Sequence, residues 1–208
     1  GPESEIELTG SIVTVRDGAE RHQIDLSALS AGSDGAVLEG NGTFDPPTVP
    51  LDENGQGSPY ATYGFAAQIA MVEVDMELGT TKVLKITAAH DVGRAINPIQ
   101  VEGQVQGGIA QGLGFALMEE YVPERSDNLH DYLIPTIGDM PEIEVLVVEE
   151  EEPLGPYGAK GVGEPGLIAT APAIFGAIRH AAGIRLTRAP AVPHRVRAAI
   201  LSKAQGSD

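Results

Sequence analysis

The chain has 208 residues, 42% of them apolar, which fits one large domain or a pair of small ones with a packed core. Its net charge of −17 argues against nucleic acid and anionic membranes as partners. The absence of cysteine excludes disulfides, thiolate-bound zinc and cysteine-held iron–sulfur clusters within the chain, and it fits a reducing cytoplasm. No apolar run approaches the length of a membrane span, and no secretory signal is visible. Because the chain begins Gly-Pro, we expect a tag remnant, a processed subunit or a piece of a longer polypeptide.

The first half of the chain predicts strands and one long irregular segment. Residues 4–30 predict short strands that form a small hairpin with a turn at Asp17-Gly18. Residues 31–59 are rich in glycine and proline, which indicates a functional loop, a mobile loop or an arm lying on another subunit. Residues 61–90 alternate between apolar and polar side chains and predict a β-hairpin whose return strand is Val83 to Ala89.

A long helix follows the hairpin. Asn97, Pro98 and Gln100 form a capping signature, and the helix is predicted to run from about Pro98 to Tyr121. Its apolar stripe has i+4 spacing and consists of Val101, Val105, Ile109, Leu113 and Leu117. Five glycines interrupt it, at positions 103, 107, 108, 112 and 114. Each glycine weakens an exposed helix by roughly 1 kcal/mol, so we expect close packing against a neighbouring helix or against a bulky cofactor.

The last third contains a strand, a glycine-rich segment and two helices. Ile143 to Val148 reads as the strand. Thr170 is predicted to cap a helix that Gly183 closes, and Pro190 and Pro193 introduce a short final helix.

The glycine-rich segment Gly155 to Gly166 reads GPYGAKGVGEPG and contains one lysine, Lys160, and one acid, Glu164. Pro165 and the apolar run after it place Glu164 where a loop enters a helix. A carboxylate there is favoured in its ionised form by the helix N-terminus and could serve as a general base. The alternative from spacing alone is a glycine-rich turn with a helix-capping glutamate.

Other chemistries do not fit the sequence. A phosphate-binding P-loop fails because Lys160 is followed by Gly161 and Val162. The histidines lack metal-ligand spacing, so no metal bound directly by side chains is expected. His90 next to Asp91 resembles a catalytic pair, but adjacent strand residues point to opposite faces, so the pair is predicted to be structural. The acids 149–152 predict a solvated loop.

From about Gly40 to Leu201 the chain resembles the C-terminal part of the molybdenum-binding subunit of the xanthine dehydrogenase and aldehyde oxidoreductase family. The motifs that carry the resemblance are SPYATYGFAAQIAMVEVD, AAHDVGRAINP, VEGQVQGGIAQGLGFALMEE, DYLIPT and GPYGAKGVGEPGLIATAPAIFGAI. Residues 1–39 match more loosely.

The resemblance implies an α+β fold, the C-terminal portion of a molybdopterin-binding domain, and a molybdenum atom held by a pterin cofactor rather than by side chains. It also implies that Glu164 is the catalytic base, which removes a proton as water-derived oxygen attacks an electron-poor carbon of the substrate. The residues expected at the cofactor are Gln104, Lys160, Gly161, Val162 and Gly163.

The same resemblance implies partners. The chain corresponds to about the last quarter of the family's subunit, so the cofactor would be shared with a larger molybdenum-binding subunit, unless the chain is a fragment of one. The 2Fe-2S clusters and FAD of the family would lie on an iron–sulfur subunit and a flavin subunit.

The motifs around DYLIPT and GPYGAKGVGE favour a family member that hydroxylates a purine or another N-heteroaromatic substrate, such as xanthine or nicotinate. An aldehyde-oxidising member and a non-catalytic assembly subunit are the alternatives. A stand-alone acidic binding module is the reading that the sequence supports least.

Overall fold

The computed structural model of the protein describes residues 4–43 and 45–205, and the chain divides into two units, residues 1–45 and 46–208. The first unit is an antiparallel sheet of three strands in chain order, β1 (Glu5–Thr9), β2 (Ile12–Asp17) and β3 (Glu20–Asp25). The predicted turn after β2 is confirmed, and the predicted hairpin is extended by a third strand.

The second unit contains a mixed sheet with the order β4-β5-β6. β4 (Ala66–Val74) and β5 (Thr81–Asp91) are antiparallel and confirm the predicted hairpin, although β5 extends two residues beyond the predicted strand at each end. β6 (Glu142–Val148) pairs with β5 in parallel. A parallel pair requires a crossover connection, which here contains a long helix.

That helix, α1 (Pro98–Leu117), begins as predicted. The Asn97 side chain accepts a hydrogen bond from the backbone N–H of Gln100 at 3.2 Å and caps the helix. The helix ends at Leu117 rather than Tyr121, because the backbone of Met118 leaves helical geometry at φ −144° and ψ −31°. Within the described ranges, no helix is both long and apolar enough to cross a membrane.

Three helices complete the second unit: α2 (Pro165–Ile168), α3 (Thr170–Ala182) and α4 (Pro193–Ala204). Gly183 closes α3 in the left-handed conformation, at φ 64°, as predicted. The predicted cap is wrong: Thr170 is the first helical residue, and its hydroxyl bonds to groups outside α3. The mixture of helices and small sheets is the α+β class expected from the sequence.

The core lies between the inner face of the sheet and the helices. Its fully buried larger side chains include Ile86, Ile109, Leu113, Ile174, Ile178, Val105 and Val196. The predicted stripe of α1 is therefore confirmed at its three central positions, and its end members Val101 and Leu117 are half-buried.

Two glycines of α1 allow the following helices to approach its backbone. A Cβ added to Gly108 would lie 2.7 Å from the carbonyl carbon of Gly166, and one added to Gly112 would lie 2.5 Å from the Cβ of Thr170. These distances are too short for real contacts, so helix packing is the reason that both positions are glycine.

Gly108→Ala should lower the free energy of unfolding by about 1–3 kcal/mol, because the added methyl group overlaps backbone atoms that cannot rotate away. Gly107→Ala is the matched control, since its methyl group enters open space. It should raise the free energy of unfolding by up to about 1 kcal/mol, because alanine is the better helix former. Urea unfolding followed by circular dichroism measures both values. Equal destabilisation by the two substitutions would contradict this packing.

One polar side chain lies in the core without a partner. His90, on the inner face of β5, is 1% exposed, and neither ring nitrogen has a hydrogen-bond partner among the described residues. Burial lowers the pKa of His90, because the charged imidazolium would lose its hydration. Its neighbour Asp91 bonds elsewhere, so the two do not form a catalytic pair, as predicted.

The second unit should therefore lose stability as the pH falls below about 6.5, the ordinary pKa of histidine. Below that pH the unfolded chain takes up a proton on His90 that the folded chain resists, and the loss continues until the lowered pKa of the folded state is reached. His90→Leu should remove this loss of stability at low pH, whereas His130→Leu, in an exposed loop, should retain it. Urea unfolding between pH 7.5 and pH 5 tests the difference, and an unchanged acid response in His90→Leu would refute it.

Candidate active site

The glycine-rich segment Gly155–Gly166 begins with a 3-10 turn, Pro156–Gly158, and ends in α2. Tyr157 within this turn has a left-handed backbone, with φ 56°, and the residue is 83% exposed. A left-handed bulky residue costs of order 1–3 kcal/mol and persists only where surrounding contacts enforce it. The chain from Ala159 onward is irregular until it enters the helix.

The first contacts that fix this segment come from the chain just after β5. The backbone N–H of Arg94 donates to the carbonyl of Gly158 at 2.8 Å, and the backbone N–H of Lys160 donates to the carbonyl of Val92 at 2.9 Å. Gly93 lies between them in the left-handed conformation, at φ 61°. A side chain on Gly93 would overlap the carbonyl oxygen of Gly158, so only glycine permits this contact.

An ion pair reinforces the same contact. The Lys160 ammonium lies 2.5 Å from Oδ2 of Asp91, and the two side chains are only 9% and 10% exposed. Burial opposes the ionisation of Asp91, but hydrogen bonds from Lys160 and from the N–H of Gly93, with the lysine charge, hold the pKa of Asp91 below its usual value. The ammonium of Lys160, a residue that lines the cavity described below, is therefore engaged by Asp91.

Side-chain amides fix the other end of the segment. Gln104 Nε2 donates to the carbonyl of Gly163 at 2.7 Å, and Gln68 Nε2 donates to the carbonyl of Gly166 at 2.8 Å. The buried hydroxyl of Thr170 lies 2.9 Å from the same Gly166 carbonyl and 2.8 Å from Oε1 of Gln68. The loop is thus tied to α1, β4 and α3 as well as to β5.

Glu164 lies between these contacts, directly before α2, with an exposed side chain. Its carboxylate makes no hydrogen bond or ion pair with any residue that the structure describes, and it does not cap α2. The capping-glutamate alternative is therefore wrong. α2 has only four residues, so its dipole stabilises a negative charge at its N-terminus less than the sequence suggested. The result is a free carboxylate on a fixed backbone.

A cavity of about 390 Å³ lies beside this loop, between the end of β5 and the first turns of α1. Four of the predicted site residues line it: Gln104, Lys160, Val162 and Gly163. Gly161 and Glu164 are not among its lining residues, although each is next in the chain to one of them.

The surface here suits a large ligand bound through backbone and amide groups. A methyl group added at Gly161 or Gly163 would meet nothing within 4 Å, and the same is true at Gly103 and Gly107 on α1. Oε1 of Gln104 accepts no hydrogen bond from the described residues and can receive one from a ligand. No cluster of three or more histidine or acidic side chains in the described residues could hold a metal ion. The open backbone at the glycines and the free Oε1 of Gln104 fit a pterin cofactor.

Sequence reasoning missed three residues of this arrangement. In the sequence, Asp91 stands out only as a neighbour of His90, and no local signal joins Asp91 to Lys160, 69 positions away. Gln68 carries no local signal, because its partner Gly166 lies 98 positions away. Thr170 was interpreted as a helix cap.

Residues 2–141 match a family model described as "Molybdopterin cofactor-binding domain". The chain is 38% identical over 138 residues to the xanthine dehydrogenase molybdenum-binding subunit of Escherichia coli O157:H7, which covers 64% of this chain and 18% of that protein. It is 31% identical over 210 residues to the 6-hydroxypseudooxynicotine dehydrogenase complex subunit gamma of Paenarthrobacter nicotinovorans, which covers 97% of this chain and 25% of that protein. Its structure matches aldehyde oxidoreductase from Desulfovibrio gigas with a TM-score of 0.72 and 35% identity, over 74% of this chain and 17% of that one.

The chain thus spans a quarter or less of the length of these relatives. The family model ends at Pro141, before the glycine-rich segment, whereas the alignment with the gamma subunit covers nearly the whole chain. The match to the family model and the similarity of the folds confirm the family that the motifs predicted. The chain belongs to the molybdopterin cofactor-binding family of xanthine dehydrogenase and aldehyde oxidoreductase molybdenum subunits.

Proposed function

We propose that this chain forms one wall of the active site of a molybdenum hydroxylase and supplies its catalytic base, Glu164. The main support for the proposal is that the Glu164 side chain makes no bonds with the described residues while the backbone around it is fixed. The carboxylate is free and exposed, while Gly163 and Gly166 on either side are hydrogen-bonded to three other elements. A general base must lie within hydrogen-bond reach of the proton it removes, so a fixed backbone with a free carboxylate suits that task.

When bound, the molybdenum–pterin cofactor supplies a metal that acidifies water and accepts the electrons removed from the substrate. Glu164 takes the proton that water loses as its oxygen joins the substrate carbon. Gly161 and Gly163 leave the backbone open for close approach, and Gln104 holds the loop while offering its free carbonyl oxygen. Val162 and Lys160 line the cavity.

The proposed substrate is a purine or another N-heteroaromatic compound, hydroxylated at an electron-poor carbon with oxygen from water. The motifs favour this class, and relatives named for xanthine and for 6-hydroxypseudooxynicotine support it. Aldehyde oxidation is the second candidate, favoured by the similarity of the fold to aldehyde oxidoreductase.

The proposal requires partners, because the chain spans only a fraction of the length of its relatives. The rest of the pterin pocket would come from a larger molybdenum-binding subunit or from the remainder of a longer chain. With no cysteine in the sequence, the 2Fe-2S clusters would lie on an iron–sulfur subunit, and FAD on a flavin subunit. We place the assembled enzyme in the cytoplasm.

The alternative is a non-catalytic assembly subunit. In that case the role of Glu164 would be structural, either in packing or in capping a helix. The carboxylate does neither within the described residues, which favours the catalytic role.

Glu164→Gln in the assembled enzyme should reduce turnover by about 10²–10⁴-fold, because the amide cannot accept the proton. Molybdenum content should remain that of the wild type, since the Glu164 side chain makes no hydrogen bond or ion pair with the described residues that would support the loop. Turnover with xanthine or nicotinate and molybdenum by mass spectrometry are the two measurements.

Glu150→Gln is the matched control, because Glu150 is an exposed acid in the preceding loop. It should retain wild-type turnover. Near-wild-type turnover in Glu164→Gln would refute the role of Glu164, and turnover with aldehydes alone would favour the second substrate class.

A further inference from the structure

Asp91 and Lys160 form a buried ion pair directly before the glycines that lead to Glu164. The Lys160 ammonium and Oδ2 of Asp91 are 2.5 Å apart, and each side chain is at least nine-tenths buried. Oδ1 of Asp91 also accepts the backbone N–H of Gly93 at 3.1 Å. Both carboxylate oxygens are therefore engaged, and the pair joins the end of β5 to the loop.

Stability alone is a weak reason for such a pair. The free energy lost when two charges are removed from water offsets much of their mutual attraction. Apolar residues of similar volume often stabilise a buried site equally well. The position of the Asp91–Lys160 pair is better explained by the loop geometry that the pair fixes.

The segment that the pair fixes has little else to hold it. Val162 is the only residue of 161–163 with a side chain, and the two glycines beside it contact nothing within 4 Å of where a Cβ would be. Val162 packs against the hydrophobic core, and the position of the segment otherwise depends on its two ends. Lys160 holds one end through Asp91, and Gln104 holds the other through the carbonyl of Gly163.

We propose that Asp91 is a positioning residue: through Lys160 it fixes the segment Gly161–Gly163 and thereby sets where the Glu164 carboxylate lies relative to the bound cofactor. The inference rests on the proposed role of Glu164. A shift of the base by about 1 Å can cost about 100-fold in rate without changing what binds, so the pair should act on turnover rather than on affinity.

A lysine on β5, the strand that carries Asp91, provides the matched control. Lys85 pairs with Glu142 at 3.0 Å and with Glu144 at 2.9 Å, but its side chain is 34% exposed and its partners belong to β6, away from the loop. Removing its charge should leave the glycine-rich segment unchanged, since exposed ion pairs contribute little.

The test compares Asp91→Asn, Lys160→Met, the double variant and Lys85→Met in the complete assembled enzyme. Asn keeps an oxygen for the N–H of Gly93 but removes the charge. For Asp91→Asn we expect kcat to fall by about 100-fold while KM and molybdenum content stay unchanged. Hydrogen exchange of the amides of residues 161–164 should become faster. The double variant should be no worse than Lys160→Met, because both changes break one interaction.

The outcomes separate this inference from the proposed function. Unchanged exchange and turnover in Asp91→Asn, beside an inactive Glu164→Gln, would overturn the positioning role and leave the base in place. Loss of molybdenum together with activity would also overturn it, because the pair would then serve assembly of the pocket. If Glu164→Gln remains active, the proposed base fails. Faster exchange in Asp91→Asn would then show a loop contact without a role in turnover, which overturns the inference as well.

Discussion

The structure of this site depends on one constraint: a glycine-rich backbone with open space around it must still remain fixed. Gly161 and Gly163 have no side chains to pack, so the loop is fixed by Val162, which packs against the hydrophobic core, and by contacts at its ends. The ion pair of Lys160 with Asp91 holds one end. Hydrogen bonds to the carbonyls of Gly163 and Gly166 hold the other. Glu164 lies within the second set and remains free of bonds within the described residues.

The fold supplies these contacts from elements that are far apart in sequence. The crossover from β5 through α1 to β6 places the end of β5 beside the first turns of α1. Gly108 and Gly112 let α2 and α3 approach the backbone of α1, which brings Gln104 within reach of the loop. Glycines that permit packing and glycines that face open space thus share one helix. The packing pair faces neighbouring helices, and Gly103 and Gly107 face open space.

The sequence predicted what local chemistry determines. Asn97 and Pro98 marked the start of α1, and the spacing of Val105, Ile109 and Leu113 marked its buried face. The loop position of Glu164 followed from Pro165. What the sequence could not predict depends on tertiary contacts. The predicted end of α1 lies four residues beyond the observed end. Thr170 was interpreted as a cap because threonine is a preferred residue at the N-cap of a helix. The partner of Lys160 lies 69 positions earlier, and no local pattern joins the two.

The central claim is that the anchored loop presents Glu164 to a molybdenum cofactor as the base. The most direct measurement is an experimental structure of the complete assembled enzyme with its cofactor bound. The account predicts that the Glu164 carboxylate lies within hydrogen-bond distance of the ligands of the metal, with the backbone of Gly161–Gly163 against the cofactor and the Asp91–Lys160 pair intact. A Glu164 that faces solvent or bonds a partner subunit, with another carboxylate beside the metal, would contradict it.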